Sequence, residues 1–139
     1  MATAHEAVLV ARPEDIEVLQ DMVAALWDAE PGVGGTDRTR FEMALVEIFA
    51  NVVEHSERAH GGPPVRRVAV TLTVDEEQVQ AVLVDDGRPA AVDLSAVTMP
   101  DEDATSGRGL ALAVAAVDDV DYQRDGDINR WTVTCRRTA

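Results

Sequence analysis

The chain has one cysteine, 4% aromatic residues, 12 basic side chains against 26 acidic ones, and no long uninterrupted apolar stretch. Each shortage excludes something. A lone Cys135 rules out an intramolecular disulfide framework and a multi-cysteine zinc site. Its setting, "WTVTCRR", reads as a strand, so this thiol is expected to be structural and buried. The scarcity of aromatics leaves the core to Ala, Val, Leu and Ile. No apolar run reaches the length of a membrane span, and no basic flank followed by a long apolar stretch opens the chain, so a cytoplasmic protein is expected. The net charge of -14 repels phosphate backbones and anionic membranes, which argues against nucleic-acid and membrane partners.

What is present is an ordinary globular balance, with 46% hydrophobic and 27% charged residues in 139. That length suits one domain, 1–139, with a proper core. "HEAVLVA" (5–11) reads as a strand, and "PEDIEVLQDMVAALWDAE" carries Ile16, Leu19, Val23 and Leu26 near helical spacing. After the loop "PGVGGTD", Thr36 and Asp37 offer N-caps for a second helix. "RAHGGPPV" (58–65) ends that helix. "RRVAVTLTV" and "QVQAVLVDD", separated by "DEE", read as a hairpin. An acidic, loop-like segment follows, then a helix over 110–120 and a closing hairpin that turns near 125–129. The order β-α-α-β-β-loop-α-β-β departs from strict strand–helix alternation. It predicts an α+β fold, a two-layer sandwich with helices on one face of a mixed, mostly antiparallel sheet.

The second helix carries the first chemical signal. In "FEMALVEIFANVVEHSE" (41–57), Phe41, Leu45, Ile48 and Val52 form one apolar stripe, widened by Val46, Phe49 and Val53. Glu47, Asn51, Glu54 and His55 share a polar sector of roughly 100°. Taken alone, such a sector is a solvent face; on a buried helix it lines a pocket. Two downstream segments weigh on the second side. "VLVDDGRP" sets Asp85 and Gly87 at the end of an apolar strand, and "SGRGLAL" sets Gly107 and Gly109 before a helix. Glycines at a helix entrance let backbone N–H groups approach a phosphate. Either segment alone is weak; the order and spacing of all three are far more specific.

Together these segments resemble the N box and two glycine boxes of the GHKL, or Bergerat-fold, ATPases. Within that superfamily the chain resembles the anti-sigma factor serine/threonine kinases over nearly its whole length. The resemblance implies ATP and Mg²⁺ as ligands. It implies that Asn51 ligates Mg²⁺ and that Glu47 is the general base or orients the attacking hydroxyl. Asp85 would accept a hydrogen bond from the adenine amine, with Gly87 allowing the base to sit close. Gly107, Arg108, Gly109 and Leu110 would wrap the triphosphate, and the loop from about Ala90 to Ser106 would be a mobile lid. Arg88 and Pro89 depart from the fuller glycine pattern and leave the lid's hinge open. Arg108, where smaller residues are common, either touches phosphate or points to water. Thr132 and Thr134 are both candidates for the adenine-side threonine of the last strand.

Other residues read more plainly. His55 is expected to pack or hydrogen-bond at the helix end, and His60 to be an exposed loop residue. Glu54, His55 and Glu57 lie too close in one short segment for a metal cluster. Trp27 and Trp131 are expected in the core or an interface. The implied partners are a sigma factor and a small antagonist protein with a phosphorylatable serine, and the family's behaviour suggests a homodimer. The competing reading is a non-catalytic module of the same fold that grips a protein partner, with nucleotide as a structural ligand or absent. A sensor histidine kinase is disfavoured, since no helical hairpin with a phosphoacceptor histidine precedes the domain and His5 lies in the first strand.

Overall fold

The computed structural model describes residues 3–57, 67–87 and 108–138, with the backbone alone for 55–57 and 108. Its elements run β1 (Thr3–Val10), α1 (Asp15–Ala29), α2 (Gly35–Glu57), β2 (Arg67–Val74), β3 (Gln78–Asp85), α3 (Arg108–Ala116), β4 (Asp119–Asp125) and β5 (Ile128–Arg136). Among the described residues the strands form one five-stranded sheet in the order β1-β2-β3-β5-β4. Every neighbouring pair is antiparallel, so the expected sandwich is present without a parallel pair among those strands.

Period-two alternation decides which side chains meet the helices. Val68, Val70, Leu72 and Val74 of β2 are buried, as are Val79, Ala81 and Leu83 of β3 and Trp131, Val133 and Cys135 of β5. The register sets these residues directly opposite one another: Leu72 faces Ala81, Leu83 faces Trp131, and Ala81 faces Val133. Helix α2 supplies the other half of the core through Phe41, Leu45, Ile48, Phe49 and Val52, the stripe its sequence spacing predicts. It packs against α1, α3, β3 and β5, and so runs through the centre of the helical layer. Trp27 meets Phe41 edge to face, with ring centroids 5.8 Å apart, and both tryptophans lie in the core.

The corners are closed by short polar contacts. Asp75 accepts the N–H groups of Glu77 and Gln78 at 2.7 and 2.9 Å and so builds the β2–β3 turn. The β4–β5 turn is two residues long, with Gly126 at φ +60°, a conformation that favours glycine in a tight hairpin. Asp15 opens α1 and binds back to the Val10 N–H at 2.7 Å and to Arg12 Nε at 2.7 Å.

Two local expectations give way. Helix α2 starts at Gly35, so Thr36 and Asp37 lie in its first turn instead of capping it. Asp37 is buried and fastens the C-terminal segment, accepting the Thr138 N–H at 2.8 Å and Arg40 Nη1 at 3.2 Å. Helix α3 begins two residues before the predicted 110 and stops at Ala116, short of the predicted 120. Arg40 Nε donates to the Ala116 carbonyl at 2.9 Å, satisfying one of the acceptors a helix end leaves open. Val120 is needed by the sheet, where it is buried opposite Val133, and this pulls 119–120 into β4.

Candidate functional site

The alternation that fills the core also aims Asp85. It follows Val79, Ala81 and Leu83 on the helix-side face of β3 and is the last residue of the strand. It is 6% exposed, and its partner across the ladder is Asn129, 3% exposed, at the start of β5. A buried carboxylate needs hydrogen-bond donors to offset lost hydration. Asp85 Oδ1 accepts the Gly87 N–H at 2.8 Å and Asn129 Nδ2 at 3.0 Å. Asn129 Nδ2 also donates to the Gly87 carbonyl at 3.2 Å, and Arg124 Nη1 donates to that carbonyl at 2.7 Å. The Asn129 Oδ1 accepts from the Tyr122 hydroxyl and from Arg124 Nη1, the latter at 3.0 Å.

Three residues of this network, Tyr122, Arg124 and Asn129, escape sequence reading. The closing hairpin is legible, but the lateral pairing of β3 with β5 is not, and that pairing brings Asn129 to Asp85. The same register removes both threonine candidates from the helix side. Thr132 and Thr134 alternate with the buried Trp131, Val133 and Cys135, facing Val82 and Gln80 across the ladder. Thr134 Oγ1 accepts from Gln80 Nε2 at 3.2 Å on the opposite side of the sheet.

Glu47, from the polar sector of α2, meets α3. A Cβ placed on Gly109 would collide with Glu47 Oε2, so the missing side chain is the space the carboxylate uses. Gly109 is the second residue of α3, and the positive end of a helix favours a nearby carboxylate. Leu110 packs partly buried against the core. Asn51, one helical turn beyond Glu47, is partly buried, and its Nδ2 is buried without a hydrogen-bond partner among the described residues. An amide turned about its last torsion exchanges its oxygen and nitrogen, so the unpaired position suits a carbonyl ligand as well as a donor. An oxygen-seeking cation with most of its shell from phosphate and water fits such a single amide. No group of three or more His, Cys, Asp or Glu that could hold a metal occurs among the described residues.

The remaining expected residues divide cleanly. Gly107, the lid from Ala90 to Ser106, Arg88, Pro89 and His60 lie outside the described residues, as do the side chains of His55 and Arg108. Cys135 is buried in β5 as expected, and burial pushes its thiol pKa up, which suits an unreactive core thiol. No described helix is long and apolar enough to cross a membrane.

Comparison with known proteins bears on this arrangement. A model of the histidine kinase-like ATPase domain matches residues 9–135, which takes in all three described helices and both hairpins. Among solved structures, the chain is similar to the RsbU and RsbW domains of Rv1364c from Mycobacterium tuberculosis. That likeness has a TM-score of 0.68 at 20% identity and covers 97% of this chain but 32% of the other, so it bears on the fold alone. No curated protein matches the chain. With the family match spanning residues 9–135 of 139, the chain belongs to the histidine kinase-like ATPase domain family.

Proposed function

We propose that the chain is an anti-sigma factor and ATP-dependent serine/threonine protein kinase. In this reading it phosphorylates a small anti-sigma-factor antagonist and sequesters a sigma factor when that antagonist is unavailable. The observation that carries the catalytic part is the meeting of Glu47 with Gly109 at the opening of α3, one turn from Asn51, whose buried Nδ2 has no hydrogen-bond partner among the described residues. The partners rest on the resemblance of "VEIFANVVEH", "VLVDDGRP" and "SGRGLAL" to the anti-sigma kinases. The fold shared with a chain that contains an RsbW domain supports the same assignment. Cytoplasmic location and a homodimer belong to it too.

The residues take separate tasks. Asp85 accepts the adenine amine, and Gly87 leaves room for the base. The N–H groups at the start of α3, with Gly107 and Arg108 before Gly109, hold the phosphates, which a helix N-terminus favours. Glu47 takes the proton of the attacking serine hydroxyl as that oxygen bonds to the γ-phosphorus. The bond from γ-phosphorus to the bridging oxygen breaks, and ADP leaves with the electron pair. Asn51 would hold Mg²⁺, whose charge offsets that of the phosphates.

Labelled ATP, the purified chain and an antagonist-type domain bearing a serine provide the test. Label is expected to pass to the serine, and Glu47→Gln is expected to slow transfer by about 100-fold or more while ATP still binds. Equal transfer by wild type and variant would sink the role of Glu47. ATP binding with no transfer to any antagonist domain would favour the non-catalytic module.

A further inference from the structure

The network around Asp85 is more elaborate than burial of one carboxylate requires, and its outer members sit on β4, one of the two edge strands of the described sheet. Asn129 is oriented from behind. Its Oδ1 accepts two donors, the Tyr122 hydroxyl and Arg124 Nη1, so its Nδ2 can only face forward, onto Asp85 Oδ1 and the Gly87 carbonyl. Reversing the amide would set its NH₂ against the Arg124 guanidinium and its oxygen against Asp85 Oδ1 and the Gly87 carbonyl. Asp85 Oδ1 is then filled by two donors, the second being the Gly87 N–H, and among the described residues no hydrogen bond is given to Oδ2. The Tyr122 ring is itself held against Trp131, centroids 4.7 Å apart, and Arg124 Nε is anchored on the Gly126 carbonyl at 2.9 Å.

We propose that Tyr122 and Arg124 are positioning residues for base selection. Acting through Asn129, they hold Asp85 so that Oδ2 alone is offered to the nucleotide, as a pure acceptor. Such a carboxylate accepts the 6-amino group of a purine and opposes a 6-oxo group, whose lone pairs face its own. Sites with a buried, fixed hydrogen-bonding group discriminate far more sharply than sites relying on shape, because the wrong ligand leaves that group unpaired. The inference rests on Asp85 reading the base, as set out under the proposed function.

Calorimetric titration of the full chain compares Mg-ATP with the Mg²⁺ complex of purine riboside triphosphate, which lacks only the 6-amino group. Wild type is expected to bind ATP at least about tenfold more tightly. Tyr122→Phe keeps the ring on Trp131 and loses the hydroxyl; Arg124→Ala removes the second donor. Each is expected to shrink the preference for ATP by about threefold or more, with affinity for the des-amino compound held within about twofold. If both ligands weaken equally, the two residues are merely structural and the inference is overturned while the reading of Asp85 stands. If wild type itself shows no preference, or binds neither ligand, the reading of Asp85 fails and the inference with it. Tyr122→Phe decides the matter alone should Arg124→Ala fail to fold.

Discussion

At the scale of single residues, Gly109 and Glu47 are one feature seen from two sides. A Cβ on Gly109 collides with the far end of a flexible side chain, so Gly109→Ala is expected to move the carboxylate without unfolding the protein. Transfer to the serine should fall at least about tenfold, with ATP affinity changed much less. A double-mutant cycle read by urea denaturation checks the contact itself. With Glu47 present, Gly109→Ala should be neutral or destabilising. In a Glu47→Ala background the same change should stabilise by about 0.5–1 kcal/mol, since alanine is the better helix residue. Additive effects would show that the two residues do not interact. Glu47, Asn51 and Asp85 stand out in the sequence because each is a polar group interrupting an apolar pattern. Asn129 does not stand out, because its task arises only when β5 pairs with β3, a contact between segments some forty residues apart.

At the scale of elements, the strands and α2 were legible because their apolar spacing matches their geometry throughout. The ends were less so, because competing contacts set them: Arg40 and Val120 stop α3, and Asp37 serves Thr138. The corner between β1 and α1 gives a pH test. The Arg12 side chain, and after it the Val10 N–H, hold the Asp15 carboxyl below its ordinary 3.8. A lowered folded pKa contributes stability above the unfolded value and loses it as pH falls through the folded one. Asp15→Asn should therefore lower the urea midpoint at pH 7, and the gap from wild type should narrow as pH drops below about 4. A gap that widens in acid would contradict the hydrogen-bonding scheme. At the other turn, Gly126→Ala forces a side chain into φ +60° and should cost about 1 kcal/mol by the same denaturation assay.

For the whole molecule, α2 joins the parts: it touches both other helices, β3 and β5, so site and core share one helix. We expect residues 1–139 to unfold as one domain, with tryptophan fluorescence and far-ultraviolet circular dichroism giving coincident transitions. The antiparallel two-layer plan follows from the order of elements, but strand order 1-2-3-5-4 does not, and that order puts Asp85 beside β5. The proposed function requires the end of β3, Glu47 and Asn51 of α2 and the opening of α3 to form a site for Mg-ATP. Titrating the full chain with Mg-ATP, followed by calorimetry, tests it most directly. Wild type is expected to bind saturably, and Asp85→Ala to lose about tenfold or more in affinity. No heat at about 1 mM nucleotide, or binding that Asp85→Ala leaves untouched, would contradict it.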